Sequence, residues 1–175
     1  MYHTRAPLRN RRGATLIIGL LTLVLLSLIG IAATTTSRME VQIAGNDKMY
    51  KEAFYAAEFG IIRGETALEA LLSRTELNED SVAGHYGQGD RPALEALQWN
   101  TSDSVQVPVA SLPTELHVAA PPNYTIVQRR FTDDSLTRGI GVPTGVYQFR
   151  VAARGVGSNP TAESIIETIY AKRFD

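Results

Sequence analysis

The chain has 175 residues, with 17 Lys and Arg against 18 Asp and Glu, and no cysteine. A formal net charge of −1 gives no basic surface for nucleic acid, and the lack of cysteine removes disulfides and thiol chemistry alike. The 44% hydrophobic content is concentrated partly in one N-terminal stretch, so the portion after about Thr34 is a single modest domain with one core.

That stretch begins after Arg9-Asn10-Arg11-Arg12-Gly13 and runs uncharged from Ala14 to Ala33. A helix over these residues is about 30 Å long, the thickness of a bilayer's hydrocarbon core. Arg5, Arg9, Arg11 and Arg12 precede it, whereas the first charges beyond it are Arg38 and Glu40. The positive-inside bias therefore keeps the N-terminus in the cytoplasm and sends the rest outward. Three readings compete: a permanent anchor, a secretory signal cut near Gly30-Ile31-Ala32, and a third that turns on Gly13, the glycine that separates the basic stretch from the apolar run. Without the four arginines, 13 basic residues remain against 18 acidic ones, or −5. Gly19, Thr22, Ser27 and Gly30 offer a small-residue face to neighbouring helices, although such residues are commonplace in membrane helices. Thr34 to Ser37 lies at the outer boundary, where hydroxyls bond back to the helix.

The helix continues beyond the span. Tyr50, Phe54, Ala57, Ile61, Gly64, Leu68 and Leu72 recur at helical spacing and predict a face packed on the protein's own sheet, with contact to a neighbouring subunit as the alternative, opposite Lys51, Glu58, Glu65 and Glu69. Ala53, Ala56, Gly60 and Ala67 form a flatter strip beside it, which lets another backbone come close. Gly45, followed by Asn46 and Asp47, is the weakest helical point, because glycine costs about 0.8 to 1 kcal/mol relative to alanine; a kink or melted turn is expected there.

From Thr75 to Asn123 turn formers cluster, which predicts a loop-rich insertion. Within it, Asp90 caps a short helix over Pro92 to Gln98, Trp99 plugs a core, and Val105 to Val107 and Leu116 to Val118 are short strands. Stronger strand candidates are Tyr124 to Phe131, Val146 to Ala153 and Ser164 to Arg173, with a turn carrying Gly155, Gly157, Ser158, Asn159 and Pro160 between the last two. The expected fold class is α+β: a long N-terminal helix, transmembrane then amphipathic, packed on a small C-terminal antiparallel sheet.

No convergent catalytic set is legible. His3 belongs to the leader, and His85 and His117 have no metal-ligand spacing around them. The glycines from Gly84 to Gly89 lack the ending of a phosphate loop, Asp133-Asp134 falls short of a calcium loop, and Arg129-Arg130 is too short to argue for nucleic acid. No enzyme activity, metal or cofactor is expected.

Arg12-Gly13-Ala14 before an unbroken apolar run resembles a type IV prepilin leader. Ile43-Ala44-Gly45-Asn46 and Ala53-Phe54-Tyr55-Ala56-Ala57-Glu58 are similar to the "AGN … AFQAAE" pattern of PilX-type minor pilins at the same distance from the span; the likeness covers roughly Arg12 to Glu65. It implies cleavage between Gly13 and Ala14 by a prepilin peptidase, N-methylation of Ala14, and the pilin fold. It also implies a non-catalytic subunit that primes or caps a type IV pilus, in the inner membrane and then on the cell surface. The partners implied are other minor pilins, the major pilin and the inner-membrane assembly platform. The expected divisions are a leader over 1–13, a span over 14–33, an amphipathic continuation over 34–74 and a pilin domain over 75–175. One departure stands out: most pilins carry Glu at the fifth mature residue, where this chain has Ile18. A minor pseudopilin of a type II secretion system and a bitopic periplasmic binding protein are the rival readings.

Overall fold

The computed structural model describes residues 12–71, 84–87, 97–134 and 145–174. Most of the leader, Leu72, Asp90 and most of the expected Pro92 to Gln98 helix lie outside the described residues. The chain divides into two compact units, Met1–Gly45 and Asn46–Asp175.

One helix, α1 (Arg12–Ala70), runs for 59 residues. It contains a stretch long and apolar enough to cross a membrane. Its hydroxyls are satisfied within the helix: Thr22 Oγ1 donates to the Gly19 carbonyl at 2.9 Å, Ser27 Oγ to that of Leu23 at 2.8 Å, and Thr34 and Thr35 both to that of Ile31 at 2.9 Å. These four hydroxyl protons then need no water, as a stretch of helix exposed to lipid requires. Gly45 does not break α1. The expected melted turn is absent, because a single glycine weakens a helix without removing any backbone hydrogen bond.

In the second unit, α1 packs on a five-stranded sheet: β1 (His85–Tyr86), β2 (Val105–Gln106), β3 (Asn123–Asp133), β4 (Gly145–Val156) and β5 (Glu163–Arg173). The order is β1-β3-β4-β5, with β2 also paired to β3. The long strands form an antiparallel meander, as alternation predicts, but β1 lies parallel to β3, so the sheet is mixed. Leu116 to Val118 forms no strand. The β3–β4 register slips between Gln128 and Arg130, leaving Arg129 as the extra residue of a β-bulge.

Alternation sorts the sheet into two faces. Tyr124 and Ile126 on β3, with Tyr147, Phe149, Val151 and Ala153 on β4, join Ile61 and Leu68 of α1 in the main core. On the opposite face Ala152 meets Leu97 and Trp99, with Tyr86 against them. Trp99 is therefore the plug its size suggests, held with φ at 50°, a region non-glycine residues seldom adopt. The Asn123 side-chain amide pins this turn by donating to the Trp99 carbonyl at 2.6 Å and to Ser104 Oγ at 2.9 Å.

Candidate assembly surface

The buried side of α1 is the small-residue strip. Ala53, Ala56, Ala57 and Leu68 have no exposed surface, and Ile61 retains 9%. Strand β4 descends along this strip in step with it, since four helical residues rise about 6 Å and two strand residues about 6.6 Å. A Cβ added to Gly64 would lie 2.5 Å from Val151 Cγ1, and one on Gly60 would lie 2.8 Å from Ala153 Cβ. Farther down, a Cβ on Gly155 would meet the Ala53 carbonyl and Ala57 nitrogen, and one on Gly157 the Met49 carbonyl. Gly155 thus belongs to the strand and not, as expected, to the turn, and its missing side chain brings β4 onto the helix backbone.

Of the seven residues expected on the packing face, Ala57, Ile61, Gly64 and Leu68 are buried and Leu72 lies outside the described residues, whereas Tyr50 is 57% and Phe54 44% exposed. The real inner face is rotated by roughly 60° from the stripe drawn through those aromatics, at 100° per residue. The reason is steric: rings at 50 and 54 would hold β4 away from α1, and only alanine and glycine permit the observed approach. Tyr50, Phe54, Tyr55 and Ile62 consequently form an exposed apolar band, with the Phe54 and Tyr55 rings edge-on at 6.1 Å. Ile18 is 62% exposed, and Ala14 is exposed near the start of the helix. The Gly13–Ala14 junction therefore lies in the first turn of α1.

Polar contacts from the sheet fasten both ends of the packed segment of α1. The Lys172 ammonium donates to the carbonyls of Leu68 at 2.8 Å, Glu69 at 2.9 Å and Leu71 at 2.6 Å. A cation from β5 thereby satisfies the terminal carbonyls that α1 has no residue of its own to cap. Beside it Tyr170 donates to Glu69 Oε1 at 2.9 Å, which raises the phenol's pKa.

At the other end the Ser158 amide donates to Glu52 Oε2 at 3.3 Å. Hydrogen bonding from Ser158 holds the Glu52 carboxyl below its usual range; burial opposes this, and Lys48 and His117 assist. A carboxyl lowered in the folded state adds stability above its unfolded pKa and loses it as the pH falls through the folded value. Wild type should therefore be more stable than Glu52→Gln at pH 7, and the gap should close as the pH drops below about 4.3. Urea unfolding followed by fluorescence of Trp99, the chain's single tryptophan, measures this. A gap that persists at pH 3 would assign the effect to packing.

His85 is buried with both ring nitrogens unpartnered, and desolvation lowers its pKa, so it remains a neutral core imidazole. Among the described residues no three His, Cys, Asp or Glu side chains gather to hold a metal. A groove of about 350 Å³ between α1 and the β2 segment brings Arg63, Thr66, Ser111 and Tyr124 together, with no histidine, lysine or carboxylate among its described lining residues to serve as a base.

No curated protein and no solved structure matches the chain. Residues 12–61, which hold the Gly13–Ala14 junction, the apolar run, the exposed rings of Tyr50, Phe54 and Tyr55 and the buried Ala53, Ala56 and Ala57, match the family model for the PilX N-terminal domain and support a PilX-type pilin.

Proposed function

We propose that this chain is a minor pilin that primes or caps a type IV pilus from a position at or near the filament tip. The observation that carries the reading is the match of residues 12–61 to the PilX N-terminal domain, which starts one residue before Gly13. Prepilin peptidase removes the leader between Gly13 and Ala14, on the cytoplasmic side, and the new Ala14 amine is methylated. Ala14 to Ala33 then holds the subunit in the inner membrane, with the remainder periplasmic until assembly. This role requires no catalytic step and no cofactor. The partners are other minor pilins, the major pilin and the inner-membrane platform.

Ile18 argues for the tip. A carboxylate within a span costs roughly 2.5 to 3.5 kcal/mol on insertion scales, so a pilin that carries one needs an offsetting partner. In the family that partner is the N-terminal amine of the subunit already in the filament. Ile18 offers no carboxylate upward, yet the Ala14 amine can still receive the glutamate of the subunit added below. That asymmetry suits the first subunit.

Intact-mass analysis of the membrane form tests the processing step. We expect loss of Met1 to Gly13 with one methyl on Ala14, and Gly13→Val should block both. A full-length chain in a strain with active prepilin peptidase would instead favour a bitopic membrane protein. Labelled subunits should appear at filament ends, and even labelling along the shaft would remove the tip assignment.

A further inference from the structure

We infer that the sheet face turned away from α1 carries a docking site for a short acidic segment of a partner protein, built on Arg129 and Arg130. The β-bulge creates it. On β3 the residues facing α1 are Tyr124 and Ile126, and Gln128 follows them opposite Phe149. The next is Phe131, whose ring lies 4.4 Å from that of Tyr147. The step from 128 to 131 is three residues where a regular strand takes two, so Arg129 and Arg130 both fall on the far face. Without the bulge, one of the two would point toward the core.

The pair is exposed, and among the described residues neither arginine meets a carboxylate. The other arginines of this face are matched. Arg150 faces Glu167 at 3.9 Å, Arg154 pairs with Glu163 at 2.7 Å, and Arg173 with Asp134 at 3.0 Å. Two like charges are thus left over at one place. Across Gln148 of β4, the partner of Arg130, the same face presents two strands away Ala171, opposite Gln148, and Ile169, opposite Arg150 and 53% exposed. Guanidinium groups take carboxylate or phosphate through paired N–H donors.

Two observations favour a protein carboxylate. The aromatics of the described part of this face, Tyr86 and Trp99, are packed into its cluster, so no ring is presented for base stacking. Two adjacent exposed arginines are also far fewer than the run of phosphate contacts that holds a nucleic-acid backbone. A short acidic stretch with an apolar neighbour for Ile169 fits both the charge and the shape. The inference stands on the sheet register alone and is independent of the pilin reading.

Binding of poly-L-glutamate to the full chain in detergent micelles, measured at low and at physiological salt, tests it. Arg129→Gln and Arg130→Gln should each weaken binding about fivefold, and the double variant about twentyfold, as expected for losing one or two charge-assisted contacts. Arg38→Gln with Lys51→Gln removes the same charge elsewhere and should change binding less than about twofold. Lysine at 129 and 130 keeps the charge without the planar fork, so it should restore part of the loss. No binding by wild type, equal loss in the control, or an effect at only one of the two arginines overturns the proposal. Tighter binding of a single-stranded DNA oligonucleotide of equal charge would overturn it in favour of nucleic acid. The Trp99 unfolding midpoint checks the fold of every variant.

Discussion

Gly155→Val should destabilise the domain by about 3 kcal/mol or more, the upper end of what overpacking costs. The contacts explain the size. A Cβ there would run into the Ala53 carbonyl and the Ala57 nitrogen. Backbone atoms in a helix cannot rotate aside as a side chain can, so β4 and α1 must separate along their shared length. Separation would also loosen Gly60 against Ala153 and Gly64 against Val151, since one strand makes all these approaches. Gly45→Ala supplies the opposite sign. No atom lies within 4 Å of a Cβ there, and alanine gains about 0.8 to 1 kcal/mol in a helix interior. Urea unfolding followed by Trp99 fluorescence measures the first, and helical circular dichroism of the full chain the second. A Gly155→Val protein with a wild-type midpoint would mean that β4 does not rest on the helix backbone.

The long elements were legible because each has a strong local signal. An unbroken apolar run declares the first half of α1, and β-branched and aromatic residues declare β3, β4 and β5. What escaped depends on partners distant in sequence. The stripe through Tyr50 and Phe54 counts ring size as evidence of burial, whereas the neighbour at that helix is a strand backbone that selects for small residues. Gly155 read as a turn residue for the same reason: glycine marks a tight turn and a close approach equally well, and only the opposing alanines decide. The bulge at Arg129 is invisible locally, because register is a property of two strands. His85-Tyr86 is too short to announce a strand, and its parallel pairing to β3 follows no hairpin rule. Of the features proposed for assembly, the Gly13–Ala14 junction and Ile18 are positions along a single helix, so locating them needs residue order alone and no tertiary partner.

Leu68 and Phe54 should separate folding from assembly. Leu68 is fully buried in the main core beside Ile61, Phe149 and Val151, so Leu68→Ala should cost about 2 to 5 kcal/mol through lost transfer energy and a residual cavity. For a small domain with about 5 to 15 kcal/mol in total, that is a large lowering of the unfolding midpoint. Phe54 lies one face away, 44% exposed, its ring touching Tyr55. Phe54→Ala should cost about 1 kcal/mol or less, because it opens no core cavity. Its exposed aromatic surface nevertheless requires an explanation, and the minor-pilin reading supplies one: a partner subunit covers Tyr50, Phe54, Tyr55 and Ile62 on assembly. Under that reading Phe54→Ala lowers the midpoint far less than Leu68→Ala while surface pili become fewer, whereas Leu68→Ala loses pili only in proportion to lost protein. Equal destabilisation by the two variants would place the Phe54 ring in the core. Normal piliation with Phe54→Ala at wild-type abundance would take this band out of the assembly contact.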